Sequence, residues 1–277
     1  MEKGFDRSTT VIALGGSVIS GLAGFVAATY MRGIDIVQCP TSLLAMADTS
    51  IGGKAGINLP QGKNLIGAFK QPKAVIVDVA TLQSLSPREF ASGMAEVIKQ
   101  SLIGDPDLFT RIENGTWIRK AGELQPPLAE LQTLVAQAIQ VKINIIQEDP
   151  FDRGRRAVLN LGHTFAHAIE IVTEHAVRHG EAVAMGLVAA ANLSARLGHG
   201  TTELQNRIES ALESTALPTR IPADVNPQRL LNVMASDKKK KAGRLRFVML
   251  RDIGDVFVTD KVDQKAVIET LKELTAA

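Results

Sequence analysis

The chain has 277 residues, 45% hydrophobic and 22% charged, enough for one large or two modest domains with ordinary cores. A formal net charge of +2 gives no electrostatic case for nucleic-acid binding, and 4% aromatic content argues against stacking platforms for single strands. Cys39 is the single cysteine, so a disulfide within the chain is excluded and a reducing, cytoplasmic setting is expected.

Residues 9–14, 34–39 and 74–78 are apolar and rich in β-branched types, which predicts buried parallel strands. A helical pattern over residues 18–31 follows the first of them, giving a βαβ arrangement. Residues 11–31 carry no charge and are long enough to span a bilayer. Their β-branched opening and the Gly15-Gly16 break predict strand, turn and helix instead, so no membrane segment is expected. From Ser86 onward the pattern turns helical, over residues 87–103, 128–147, 164–173, 181–197 and 203–216. "SPRE" opens the first of these helices, with Ser86 as N-cap, Pro87 at the first position and Glu89 at the third. Residues 244–250 and 255–259 predict a strand pair joined through Gly254.

The expected fold class is α/β: a partial Rossmann-like parallel-sheet domain over residues 1–84, then a mainly helical domain over 85–277 ending in a strand pair. A doubly wound sheet usually has about five or six strands. Three are found here, so an earlier half of the sheet is expected to be missing ahead of Met1.

The chemistry-bearing residues cluster. In "LNLGHTFAHAIE", residues 159–170, the spacing puts Asn160, His163, His167 and Glu170 on one face of a helix, and Arg156 extends that stripe if the helix starts early. All five histidines lie between His163 and His199. Imidazoles at His163, His167 and His179 suit zinc, although spacing alone does not say which of them bind. In "GMAEVIKQ", Glu96 sits among apolar neighbours three residues before Lys99; the pair is either an intrahelical ion pair or the source of a metal ligand. "DTSIGGKAGINLPQGKNLIGAF", residues 48–69, combines five glycines with Asp48, Lys54, Lys63 and Asn64, and reads as a turn-rich connection or an anion site. "DKKKKAG", residues 237–243, is a solvated charge run or the closure of a phosphate pocket.

Taken in order, "PTSLLAMADTSIGGKAGINLPQGKNLIGAFKQP", "REFASGMAEVIK", "LNLGHTFAHAIE", "HGEAVAMG" and "DKKKKAG" closely resemble the 3-dehydroquinate synthase family across nearly the whole chain. The resemblance implies a sugar-phosphate cyclase of the shikimate pathway that uses NAD and a divalent metal, zinc or cobalt. It also implies a homodimer, with the active site between an N-terminal Rossmann-like domain and a C-terminal helical domain. Carried over by position, it makes Glu96, His163 and His179 the metal ligands. Lys54, Lys99, Arg156, Asn160 and His167 become catalytic. Arg32, Asp48, Asn64, Lys142, Lys238 and Lys239 join Lys54, Asn160 and His167 in binding substrate. Ser17, Val18, Ile19, Ser20, Gly21, Thr41, Ser42, Lys54, Lys63, Thr81, Leu82, Gln83 and Ser84 take the cofactor positions.

Three departures fall on the cofactor turn. The family pattern runs roughly G-G-G-V-x-G-D, whereas "GGSVISG" has Ser17 and Ser20 for glycines and Gly21 for the aspartate. Asp152 also stands where the family usually has Glu. With these changes and the short sheet, weak NAD binding and weak or absent turnover are expected beside an intact metal site. The alternatives are another sugar-phosphate cyclase, a related metal-dependent alcohol dehydrogenase, and a truncated remnant that is inactive or serves as a binding protein.

Overall fold

The first predicted strand is β1, Thr10–Gly15; it runs parallel to β2, Asp35–Pro40, in the register Thr10↔Asp35 to Gly15↔Pro40. The computed structural model describes residues 4–59, 62–117, 127–240 and 245–276, with the side chains of 58, 59, 62–64 and 237–240 outside that description. Helix α1, Ser17–Thr29, makes the crossover between these strands, and Ala13, Ala27, Ile34 and Ile36 close a small core beneath it. It ends two residues earlier than the periodicity predicts, because Met31 and Arg32 take positive φ values of 47° and 70°. The third parallel strand, β5 (Ala74–Val75), is much shorter than predicted. Asp78 instead accepts the Ala80 amide at 3.0 Å and caps a 3-10 turn, Val79–Ser84.

The glycine-rich segment corrects the sequence reading. It is an antiparallel hairpin, β3 (Lys54–Leu59) with β4 (Gly62–Phe69), and not an irregular connection. Its glycines obscure the alternation, and packing explains them. A Cβ on Gly67 would stand 2.6 Å from the Ala55 carbonyl oxygen, and one on Gly24 of α1 would stand 2.8 Å from the Ala55 Cβ. Gly53, at φ +67°, makes the turn into β3.

Two compact units form, one from Met1–Gly93 with Arg119–Phe151, the other from Met94–Ile118 with Asp152–Ala277. A single boundary near Ser84 does not describe this division. The cut falls inside α2, Pro87–Gly104, and the long helix α4, Leu128–Glu148, belongs with the parallel sheet. Helix α4 packs against the Ala45–Thr49 and Val79–Ser84 turns, and across 94 residues Lys142 donates to the Asp48 carboxylate at 2.6 Å and to the Asp48 carbonyl at 2.5 Å.

The second unit holds α3 (Pro106–Asn114), α5 (His163–Val172), α6 (His179–Arg196), α7 (Thr202–Ser214), α8 (Pro227–Lys240) and α9 (Gln264–Leu274). It also holds the hairpin β6 (Phe247–Asp252) and β7 (Asp255–Thr259). Helices α3, α8 and α9 were not predicted, although Asp105 caps α3 ahead of Pro106 and Asp263 caps α9. Helix α6 is the hub, packed by α5, α7, α9 and β6 and buried along most of its length. Among the described residues no helix is long and apolar enough to cross a membrane.

Helices α5 and α6 meet glycine to glycine. A Cβ on Gly186 would lie 2.2 Å from the Gly162 carbonyl oxygen, and Gly162 itself takes φ +76° just before α5 begins. Gly186→Ala should therefore destabilise the chain by about 2–3 kcal/mol, the cost of overpacking a tight crossing. Thermal unfolding beside the wild type measures this; an unchanged midpoint would show that the crossing yields.

Candidate metal centre and neighbouring residues

Three helices each contribute a side chain to one point in the second unit. Glu96 comes from the middle of α2, His163 is the first residue of α5, and His179 is the first residue of α6. One ligand atom from each lies within 4.8 Å of the others. The Nε2 atoms of His163 and His179 each stand 3.5 Å from Oε1 of Glu96. Donors about 2.0–2.2 Å from a tetrahedral zinc ion sit roughly 3.3 Å apart, so the spacing fits such an ion with one coordination position left for water or substrate.

The electrostatics fit as well. Glu96 is fully buried and forms an ion pair with Lys99 Nζ at 2.5 Å. Burial opposes its charge, yet Lys99, His179 and His163 together hold the carboxyl well below its usual range. The ion-pair reading of Glu96 is realised, and the same carboxylate lies where His163 and His179 converge. Burial, reinforced by repulsion from Lys99, lowers His163 to about 3 and keeps its ring neutral. For His179 burial acts in the same direction, but hydrogen bonds and charge from Glu170 and Glu96 outweigh it and raise it to about 10.

A testable consequence follows for metal loading. Below about pH 10 an incoming cation must displace the His179 proton, whereas His163 has none to give. Zinc binding near pH 7 should release about one proton, and affinity should rise about tenfold per pH unit between pH 6 and 8. Calorimetry in buffers of different ionisation enthalpy counts that proton; release of two, or of none, would contradict the assignment.

The polar stripe read from the sequence is corrected. Asn160 lies in a 3-10 turn, Arg155–Asn160, and the Leu161–Gly162 break separates it from α5. Its side chain is exposed and donates to the Ala157 carbonyl at 3.2 Å. Arg156, from the same turn, is 2% exposed. His167 is exposed one turn beyond His163, with ring centroids 5.4 Å apart, and is not among the three converging ligands. Glu170 turns inward, 3% exposed, with Oε1 3.4 Å from His179 Nδ1. Sequence reasoning placed Glu170 on the stripe and gave it no role, although a carboxylate between Ile169 and Ile171 was the available signal.

In the first unit, the turn at Gly15-Gly16 gathers some of the expected cofactor residues. The Thr41 amide donates to the Gly15 carbonyl at 3.0 Å, and Ser42 Oγ lies 3.5 Å from where a Gly16 Cβ would be. Ser17 and Ser20 both have buried hydroxyls without a hydrogen-bond partner, while Val18 and Ile19 are exposed. Ser20, at 2% exposure, thus keeps its extra atoms inside the unit. In the Val79–Ser84 turn, Thr81 Oγ1 bonds the Asp78 carbonyl, Leu82 is buried, and Gln83 and Ser84 are exposed. Asp48 and Lys142 pair with each other, and Lys54 and Arg32 are exposed. The side chains of Lys63, Asn64, Lys238 and Lys239 lie outside the described residues.

Solved structures define the class. This chain superposes with TM-score 0.89 on 2-epi-5-epi-valiolone synthase from Streptomyces hygroscopicus, solved with NAD+ and Zn2+ bound, at 27% identity over 99% of this chain and 75% of that one. The TM-score is 0.86 against 2-deoxy-scyllo-inosose synthase complexed with carbaglucose-6-phosphate, NAD+ and Co2+, also at 27% identity, over 98% and 75% of the two chains. A glycerol dehydrogenase from Schizosaccharomyces pombe shares the fold alone, with TM-score 0.59 at 14% identity over 99% and 71% of the chains. The fold is therefore that of the sugar-phosphate cyclases.

Within that class the sequence is more specific. Family models described as 3-dehydroquinate synthase N-terminal and C-terminal match residues 1–92 and 93–240. The 3-dehydroquinate synthase of Cyanothece sp. is 44% identical over 275 residues, covering 99% of this chain and 74% of that protein. That of Xanthomonas campestris pv. campestris is 46% identical, covering 98% and 74%. The chain belongs to the 3-dehydroquinate synthase family.

Proposed function

We propose that the chain converts 3-deoxy-D-arabino-heptulosonate 7-phosphate to 3-dehydroquinate and phosphate, in the shikimate route to aromatic amino acids, with NAD and a zinc or cobalt ion as cofactors. The observation that carries this reading is the gap in identity. Relatives named 3-dehydroquinate synthase stand at 43–46%, whereas two solved cyclases named for other carbocyclic products stand at 27%.

The metal would be held by Glu96, His163 and His179, whose spacing and buried charge suit a divalent cation. Bound there, the ion supplies Lewis acidity, and NAD supplies a hydride acceptor that returns what it takes. Lys99 holds Glu96 in its ionised form and lowers His163, which keeps both donor sets unprotonated. His167, exposed one turn from His163, and Asn160 and Arg156 from the preceding 3-10 turn would meet substrate.

In the first unit, Lys54, the Asp48–Lys142 pair, Arg32 and Asn64 would serve the substrate's anionic groups, as would Lys238 and Lys239 of the second unit. The first turn of α1 offers backbone amides for the NAD pyrophosphate, with Thr41, Ser42, Lys63 and residues 81–84 nearby in the family pattern. The buried position of Ser20 supports cofactor entry there, because its side chain adds no bulk to the outer face of that turn. A homodimeric cytoplasmic enzyme completes the reading.

The test is turnover by the purified chain supplied with zinc, NAD and the seven-carbon phosphate. Phosphate release matched by 3-dehydroquinate, with NAD regenerated, supports the reading. Stoichiometric accumulation of NADH would indicate a dehydrogenase, turnover confined to another sugar phosphate would indicate a different cyclase, and metal binding without turnover would indicate a non-catalytic protein.

A further inference from the structure

We infer that Glu170 is the positioning residue of this metal centre: its carboxylate accepts a hydrogen bond from Nδ1–H of His179 and so presents Nε2 to the ion. The inference rests on the metal reading above and assigns a role to a residue outside the ligand set. His179 lies between two buried carboxylates, one for each ring nitrogen. Nε2 is 3.5 Å from Glu96 Oε1 and Nδ1 is 3.4 Å from Glu170 Oε1. Only one of those nitrogens can face a cation, and the Glu96 side is where the His163 Nε2 also arrives.

The two imidazoles are held differently. His163 Nδ1 lies 3.1 Å from the Leu161 carbonyl oxygen, a neutral acceptor fixed by the backbone of its own turn. His179 is the first residue of its helix and has Glu170, from a neighbouring helix, in the corresponding place. An outer acceptor of this kind fixes the tautomer and ring orientation and raises the basicity of the metal-facing nitrogen. A carboxylate does so more strongly than a carbonyl, because it is charged.

The connection between α5 and α6 is built to hold that contact. Glu174 and His175, neither of them glycine, both sit in the left-handed region at φ 51° and 63°. The His175 amide donates back to the Glu170 carbonyl at 2.8 Å, and Thr173 Oγ1 donates to the Ile169 carbonyl at 2.8 Å. Two sparsely populated conformations in succession are sustained only where the surroundings over-determine them. Here they turn the chain between Glu170 and His179 so that the two side chains meet.

The experiment compares zinc affinity of the wild type, Glu170→Gln and Glu170→Leu by competition with a chromophoric chelator. Zinc-free thermal unfolding runs in parallel, together with histidine 15N spectra of the zinc-loaded proteins. Glu170→Gln is expected to bind zinc about 10-fold more weakly and Glu170→Leu about 100-fold more weakly, the range found when outer partners of metal-bound histidines are removed. The His179 Nδ1–H signal of the loaded wild type should shift or broaden in both. A folded variant whose zinc affinity stays within about twofold of wild type overturns the inference, whatever its melting temperature, because a merely structural carboxylate would change only the latter. If Glu170→Leu does not fold, the isosteric Glu170→Gln decides alone. A wild type that binds no zinc refutes the metal reading itself, which is a separate failure.

Discussion

Glu96→Gln should lose zinc affinity by about three orders of magnitude, roughly 4 kcal/mol, while Lys99→Met should gain at least about tenfold. The two residues are partners in one buried ion pair, so a purely structural pair would make the two substitutions similar in effect. As a metal centre the pair is asymmetric: Glu96 attracts the cation and Lys99, 2.5 Å from the same carboxylate, repels it. Without metal, both variants should be less stable by about 3–5 kcal/mol, since each leaves a buried charge without its partner. Zinc should then restore much of the stability of Lys99→Met, because the ion replaces the lost positive charge beside Glu96, and none of that of Glu96→Gln. Thermal unfolding of both variants with and without zinc checks this, and equal responses to zinc would reject it.

The second large effect separates two histidines one turn apart. His163→Ala should reduce zinc affinity by about three orders of magnitude, removing a neutral donor that the buried site cannot replace. His167→Ala should leave zinc affinity within about threefold of wild type, since its ring is exposed and lies outside the converging set. On the proposed function it should still impair turnover, as a group that meets substrate. Equal loss of zinc in the two variants would mean that the face of α5 toward the ion has been assigned wrongly.

What the sequence disclosed depended on how local the physics was. The βαβ start and the helices α2, α4, α5, α6 and α7 were legible because their apolar periodicity is continuous, and α2 and α7 also carry side-chain caps at Ser86 and Thr201. The β3–β4 hairpin was hidden, because the glycines that admit α1 and the opposing strand also erase the alternating pattern of a half-buried strand. The short helices α3 and α9 are capped by Asp105 and Asp263, but their mixed composition masked them. Membership of α4 in the first unit comes from packing remote in sequence, Lys142 reaching Asp48 included, that no local window contains.

The metal site shows the same division. His163 and His179 announced themselves by clustering, whereas spacing left His167 equally eligible. Only the helix start at His163, set by Gly162, and the α5–α6 crossing at Gly186 show which rings converge. The Asn160 to Glu170 stripe assumed an unbroken helix, and Gly162 breaks it, so Asn160 and Glu170 end in different surroundings.

The central claim is that Glu96, His163 and His179 hold one divalent ion, and X-ray absorption at the zinc edge of the chain loaded with a single equivalent tests it most directly. Two imidazole nitrogens are expected at about 2.0–2.1 Å, with the rest of a four-coordinate shell made of oxygens at about 2.0–2.2 Å from carboxylate and water. A shell of three imidazoles, or one made entirely of oxygen, would contradict it.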